Sequence, residues 1–185
     1  ERWNNIAGTS IAELLSKTNN LQTSPSVSLS LGSFEAPTNV ADNYGARLRG
    51  YICPPTTGLY YFWIAGDDNV SLRLNAKGSD PGGAGQIAYH TSWTDPRVWD
   101  RFAEQKSAPV SLTAGQLYYV EALMKEDGWG DNLAVGWAKP GEATAQPSEV
   151  IPGQYLVPYV APASSPSSCT LVAVASPASL VAGSG

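Results

Sequence analysis

Apolar and polar residues alternate along much of this chain with the two-residue period of a half-buried strand. Val27, Leu29 and Leu31 alternate with Ser26, Ser28 and Ser30, which predicts a strand over residues 25–34. Residues 47–52 and 70–75 read the same way. The run Leu59-Tyr60-Tyr61-Phe62-Trp63-Ile64-Ala65 is apolar without interruption, which suits a strand covered on both faces. Shorter strands are expected at 86–89, 110–112, 117–123, 133–137 and 155–157, with Gly, Pro, Asn and Asp in the turns between them. Ser10 ahead of Ile11-Ala12-Glu13-Leu14-Leu15 predicts one short capped helical turn, and nothing later reads as a helix. The pattern predicts an all-β chain, an antiparallel sandwich or barrel.

From Ala161 the chain turns to Pro-Ala-Ser-Ser-Pro-Ser-Ser, the composition of a flexible linker. The expected division is a β domain over 1–160, a linker over 161–168, and at 169–185 the start of a further β domain or a tail. Neighbouring domains in the same polypeptide are therefore expected.

Composition removes several function classes. The 11 basic against 16 acidic residues give a formal charge of −5, which argues against nucleic acid as the partner. No apolar run approaches the roughly 20 residues of a membrane span, so no membrane insertion is expected. One histidine, His90, leaves little room for histidine-based catalysis or a poly-His metal site. Low Lys with many Ser, Thr, Asn and Gly, and a start at Glu1 that removal of a leader would explain, suggest a secreted or cell-surface protein. Cys53 and Cys169 form no CxxC pair. Two readings fit them. Either they bridge in an oxidising compartment and staple the tail to the domain, or Cys53 is a small buried apolar residue and Cys169 pairs elsewhere.

Two acidic loops flanked by glycine carry the candidate chemistry: Gly66-Asp67-Asp68-Asn69, and Glu126-Asp127-Gly128-Trp129-Gly130-Asp131-Asn132. Adjacent carboxylates repel unless a cation or hydrogen-bond donors compensate. With neither a Cys pair nor a His cluster, oxygen ligands for Ca²⁺ are the metal chemistry such loops could supply. Asp and Asn are also ordinary turn residues that cap their own backbone.

The strings Gly58 to Leu74, Ser111 to Tyr119 and Lys125 to Trp137, in that order, resemble the signature of the anthrax protective-antigen fourteen-kilodalton domain family. Trp3 to Leu15 and Ile151-Pro152-Gly153 resemble its bacterial form, so the likeness runs from about Arg2 to Tyr159. The resemblance implies a β-sandwich of jelly-roll type with long loops at one end. It also implies a sugar-binding site in which two neighbouring Asp residues, joined by a cis peptide, hold Ca²⁺ while sugar hydroxyls complete its coordination. Carried over, that pair is Asp67 and Asp68. Glu126 falls where the family's flocculins have an Asn ligand, and Gly128 and Gly130 fall where loop carbonyls bind. Asp127 and Asp131 are the substitutes for Glu126 if the loop alignment slips.

Trp129, between two glycines, either stacks on a sugar face or folds back over its loop. Asp80, in the 77–85 loop, is a candidate ligand contact. Trp63 and Trp137 are expected in the core, Trp93 and Trp99 as packing for residues 91–101, and His90 as structural. Asn69-Val70-Ser71 matches a glycosylation sequon that a calcium site would crowd, so it is read as incidental.

The function expected is a calcium-dependent carbohydrate-binding module, lectin-like, of an adhesin or polysaccharide-degrading enzyme, with glycans or polysaccharides as partners and no catalysis of its own. The rival is a structural or protein-interaction module in which any calcium is closed to ligand.

Overall fold

The computed structural model describes residues 1–160 and Cys169; the expected linker and the segment after Cys169 lie outside the described residues. In chain order the elements are β1 (Arg2–Asn4), α1 (Ile11–Lys17), β2 (Tyr44–Ile52), β3 (Gly58–Asp67), β4 (Asn69–Leu74), β5 (Gly85–Thr91), β6 (Val110–Leu112), β7 (Tyr118–Glu126), β8 (Asn132–Ala138), β9 (Glu149–Val150) and β10 (Leu156–Pro158). They form two antiparallel sheets, an all-β sandwich. One sheet runs β1-β2-β7-β4-β5, with β10 also paired to β2; the other runs β6-β3-β8-β9.

Alternation along the strands builds the core between the sheets. Tyr118, Val120, Ala122 and Met124 of β7 point inward with Val70, Leu72 and Leu74 of β4, against Tyr60, Phe62 and Ile64 of β3 and Leu133, Val135 and Trp137 of β8. Each large apolar side chain buried this way contributes about 1.5–3 kcal/mol. The alternate residues of β3 are covered as well: Trp63 and Ala65 pack with Trp99, Ala134 and Ala138. The unbroken apolar run therefore reflects a strand sandwiched on both faces, as its pattern predicts, and Trp63 and Trp137 are core residues.

On the outer face of the six-stranded sheet, α1 lays Leu14 beside Trp3, Ile6, Leu21 and Leu123. A capping box starts the helix: the Glu13 N–H donates to Ser10 Oγ at 3.2 Å and the Ser10 N–H to Glu13 Oε2 at 2.9 Å. Gly45 is required beneath it, because a Cβ there would lie 2.2 Å from Leu14 Cδ1.

The strand expected over 25–34 does not form. This segment makes isolated bridges, Val27 to Arg2 and Ser33 to Pro152, and between them it has no ladder partner. Leu29 stays 65% exposed and lines a groove with Leu31, Ala46 and Leu48. Alternation signals a strand only where a neighbouring strand takes up the backbone groups, and here the β2 edge is already used by β1 at 44–46 and by β10 at 50–52. The cysteines resolve to the bridged reading: Cys53 and Cys169 are disulfide-bonded, Cα atoms 5.8 Å apart, across a separation of 116 residues.

Candidate metal and ligand site

Four chain passages converge at one end of the sandwich. β3 ends at Asp67 and β4 begins at Asn69, so the Asp67–Asp68 peptide makes the turn between the sheets, and it is cis. β7 ends at Glu126, opposite Tyr44, and β8 begins at Asn132, opposite Asp67. This register brings the β7–β8 loop over the Asp pair. Asp67, Asp68 and Glu126 each present a carboxylate oxygen, and these oxygens all lie within 4.8 Å of one another.

The negative charge of this cluster is only partly compensated. Glu126 is 0% exposed, and neither carboxylate oxygen has a hydrogen-bond partner among the described residues. Burial, then the charges of Asp68, Asp67 and Asp131, push its carboxyl up to about 8. Burial and the Asp68 charge push Asp67 up to about 6. The Lys125 charge acts in the opposite sense on Glu126, but its ammonium donates to the Glu126 carbonyl and not to the carboxylate.

A buried carboxylate with no donor, facing two others, is the donor set a hard cation takes. Two oxygens on one Ca²⁺, each about 2.4 Å from it, can be at most about 4.8 Å apart. The residues present fit calcium.

The β7–β8 loop is braced by a passage that no sequence signal picked out, residues 39–43. The Asn43 N–H donates to the Asp127 carbonyl at 2.9 Å and the Asn39 N–H to the Asp131 carbonyl at 3.1 Å. Asp131 Oδ2 accepts from the Val40 and Ala41 N–H groups at 2.7 and 3.2 Å. The Trp129 N–H donates to Asp42 Oδ1 at 3.2 Å, and the Asp127 N–H donates to Asp68 Oδ2 at 3.1 Å. The carbonyls of Gly128 and Gly130 accept no backbone hydrogen bond among the described residues.

These contacts separate the acidic residues of the loop. Glu126 joins the Asp pair. Asp131 is buried and anchors the 39–41 backbone, while Asp127 is exposed and contributes its N–H. Trp129 does not fold back: it is 98% exposed, with a backbone φ of 85° that a non-glycine residue seldom adopts.

Asp80 requires a correction. It caps the 3₁₀ turn Pro81–Gly83 by accepting from the Gly82 N–H at 2.9 Å. That turn follows β4, whose 6 residues run away from the Asp pair for about 20 Å. Asp80 sits at the opposite end of the sandwich, so the 77–85 loop does not line the site.

His90 is buried, its Nδ1 3.0 Å from the Ser92 carbonyl and its ring stacked on Phe102. Burial pushes it down to about 4, so it is neutral and structural. Asn69 of the sequon is 9% exposed within β4.

The family model described as "PA14 domain" matches residues 17–150, more than half of the chain. The chain belongs to the PA14 domain family. Among curated relatives, the mouse N-acetyl-beta-glucosaminyl-glycoprotein 4-beta-N-acetylgalactosaminyltransferase 1 is 38% identical over 100 residues, 51% of this chain and 10% of the relative. Mouse fibrocystin-L is 29% identical over 85 residues, 46% of this chain and 2% of the relative. The chain thus spans a tenth or less of these proteins, each of which carries the PA14-like stretch inside a much longer polypeptide.

Among solved structures, the epithelial adhesin 9 A domain of Candida glabrata, in complex with Galβ1-4GlcNAc, aligns at a TM-score of 0.43 with 22% identity, covering 56% of this chain and 48% of that one. An anti-sigma factor domain-containing protein from Clostridium clariflavum aligns at 0.46 with 24% identity, covering 64% and 34%. No helix among the described residues is long and apolar enough to cross a membrane.

Proposed function

We propose that this PA14 domain is a calcium-dependent carbohydrate-binding module of a larger extracellular or cell-surface protein. The observation that carries the reading is the buried, partnerless carboxylate of Glu126 beside Asp67 and Asp68. Those three side chains would hold the ion, with the carbonyls of Gly128 and Gly130 as further oxygen donors. Bound Ca²⁺ would supply open coordination positions for vicinal sugar hydroxyls.

The chain's own residues do the rest. Asp42, Asn39 and Asn43 hold the β7–β8 loop in place. Trp129 offers an exposed ring for the apolar face of a sugar. The similarity to a glycosyltransferase that acts on glycoprotein glycans favours a sugar as ligand for this module. The disulfide favours an oxidising compartment.

Titration calorimetry tests the proposal. The calcium-loaded protein is titrated with methyl glycosides of galactose, glucose, mannose and N-acetylglucosamine, with EDTA and Asp68→Asn as controls. A sugar heat that both controls remove supports it, and Asp68→Asn is expected to weaken calcium on the order of 100-fold. Calcium binding without any sugar heat would move the reading to a structural or protein-interaction module.

A further inference from the structure

The stretch from Pro25 to Phe34 carries the alternation of a strand and has no ladder. Its ends are tied, Val27 by an isolated bridge to Arg2 and Ser33 by one to Pro152. Between them, Ser28, Leu29, Ser30 and Leu31 make no backbone hydrogen bond among the described residues, and all four are exposed. Backbone groups left this way are those of an extended segment open to a partner strand.

The side chains point to the same conclusion. The described residues expose seven large apolar side chains, and three of them, Leu29 at 65%, Leu31 at 37% and Val40 at 40%, line one groove with Ala46 and Leu48. Charges at its rim are already engaged. Glu1 holds Arg47 at 2.6 Å and Arg49 at 2.8 Å, and the Arg2 guanidinium lies 5.6 Å from the centroid of the Tyr44 ring. From Pro25 to Phe34 there is no charged residue at all.

The occupant that this pattern fits is a second copy of itself. Paired antiparallel about a two-fold axis at Leu29, the stretch sets Leu29 opposite Leu29, Val27 opposite Leu31 and Ser28 opposite Ser30. Apolar then meets apolar, serine meets serine, and no like charges face each other. A register shifted by one residue would set leucine against serine. An axis at Ser30 would leave Val27 without an apolar partner.

We propose that residues 27–31 are a self-recognition surface, through which two copies of this domain pair antiparallel about Leu29 and close their apolar grooves under a shared two-stranded ribbon. None of the carboxylates proposed to hold calcium takes part, so the contact forms without the metal. It is short, and its affinity is on the order of 100 µM, the range of small transient interfaces. Such a contact acts where copies are held together at high local concentration.

Sedimentation velocity of the full chain from about 5 to 500 µM, in EDTA so that bridging calcium cannot contribute, tests this. Wild type should pass from monomer to mostly dimer. Leu29→Lys and Leu29→Glu should each weaken association by more than about tenfold, because like charges then meet at the axis. Both should keep the wild-type melting temperature, since Leu29 is largely exposed. Mixed in equal amounts, the two variants should associate again, with opposite charges facing across the axis. Leu59→Lys, at a position 53% exposed outside the groove, should associate like wild type.

A wild type that stays monomeric across the range overturns the inference. If its Leu29→Lys variant also melts lower, the groove holds an occupant from the same chain instead. A dimer that survives Leu29→Lys, or that Leu59→Lys weakens equally, overturns it as well, because the contact then lies elsewhere or is unspecific. Failure of the mixed variants to associate overturns the pairing about Leu29.

Discussion

Glu121 and Glu126 lie five residues apart on β7, both with buried side chains, and they end on opposite faces of the same sheet. On the outer face Glu121 sits in a charged belt. Arg47 Nη1 and Arg73 Nη1 approach it at 3.8 and 3.7 Å, the Tyr119 hydroxyl donates to it at 3.0 Å, and Glu1 ties Arg47 and Arg49 together at 2.6 and 2.8 Å. On the inner face, at the tip of the sandwich, Glu126 has two more carboxylates for neighbours and no donor. The fold therefore can satisfy a buried glutamate with its own residues, and at Glu126 it does not. A carboxylate removed from water and left without a donor is costly to ionise, and Glu126 is accordingly pushed up to about 8; the proposed calcium is what would compensate its ionised form.

Neutralising each glutamate breaks the comparison most directly. Glu126→Gln should weaken calcium by more than about 100-fold. It should also stabilise the metal-free protein by about 1–3 kcal/mol at pH 9, where the wild-type carboxylate is ionised. Glu121→Gln should act in the opposite sense: calcium affinity unchanged, stability lowered by about 1–3 kcal/mol because Arg47 is left with a weaker partner. Calorimetry and urea unfolding in EDTA check both. If the two variants shift stability in the same direction, the contrast between the regions is false.

The same contrast appears in the response to pH. Glu126 is raised to about 8 and Asp67 to about 6, so the folded metal-free protein holds protons that the unfolded chain has already released. The stability these two groups contribute is present in full near pH 4 and is lost as the pH rises through about 6 and then about 8. Calcium needs the deprotonated groups, so its affinity should fall roughly 30- to 100-fold from pH 8 to pH 6, while saturating calcium flattens the stability profile. Thermal melts across pH 5–9, with EDTA and with excess calcium, read this; equal slopes in the two series would exclude a shared cation on these carboxylates.

Much of this arrangement is legible in the residues themselves, for definite reasons. The strands announce themselves because alternation reports one buried face, and the run at 59–65 reports two. The Asp pair and the Glu126 loop are visible because like charges crowd against glycine. Residues 39–43 are not visible: what they contribute is chiefly backbone N–H groups from Asn39, Val40, Ala41 and Asn43, and a backbone donor leaves no mark in a sequence. Leu29 and Leu31 misled because alternation records a pattern of side chains and not the presence of a neighbouring strand.

Asp131 separates anchoring from ligation within one loop. It is buried close to Glu126; the Val40 and Ala41 N–H groups satisfy Oδ2, while Oδ1 is buried without a partner among the described residues. Asp131→Ala should cost about 2 kcal/mol of stability by orphaning two donors. Asp131→Asn keeps one acceptor and should cost less than about 1 kcal/mol, with calcium still bound. Abolition of calcium binding by Asp131→Asn would place the loop ligand at Asp131 and not at Glu126.

Asp80 supplies the smallest effect and the plainest control for the two-ended reading of the molecule. Both Asp68 and Asp80 accept a backbone N–H, from Asp127 and from Gly82, but one belongs to the carboxylate cluster and the other caps a turn at the far end of β4. Asp80 sits where Asn75 Nδ2 donates to its carbonyl at 2.8 Å, so the turn remains anchored when the side chain is removed. Asp80→Ala should cost about 0.5–1 kcal/mol, the ordinary loss of a cap, and leave calcium and sugar affinity unchanged because a separation of about 20 Å exceeds the Debye length at physiological salt. A change in calcium affinity beyond about twofold in Asp80→Ala would mean that the two ends are coupled through β4, and the acidic cluster could no longer be treated as a site complete in its own loops.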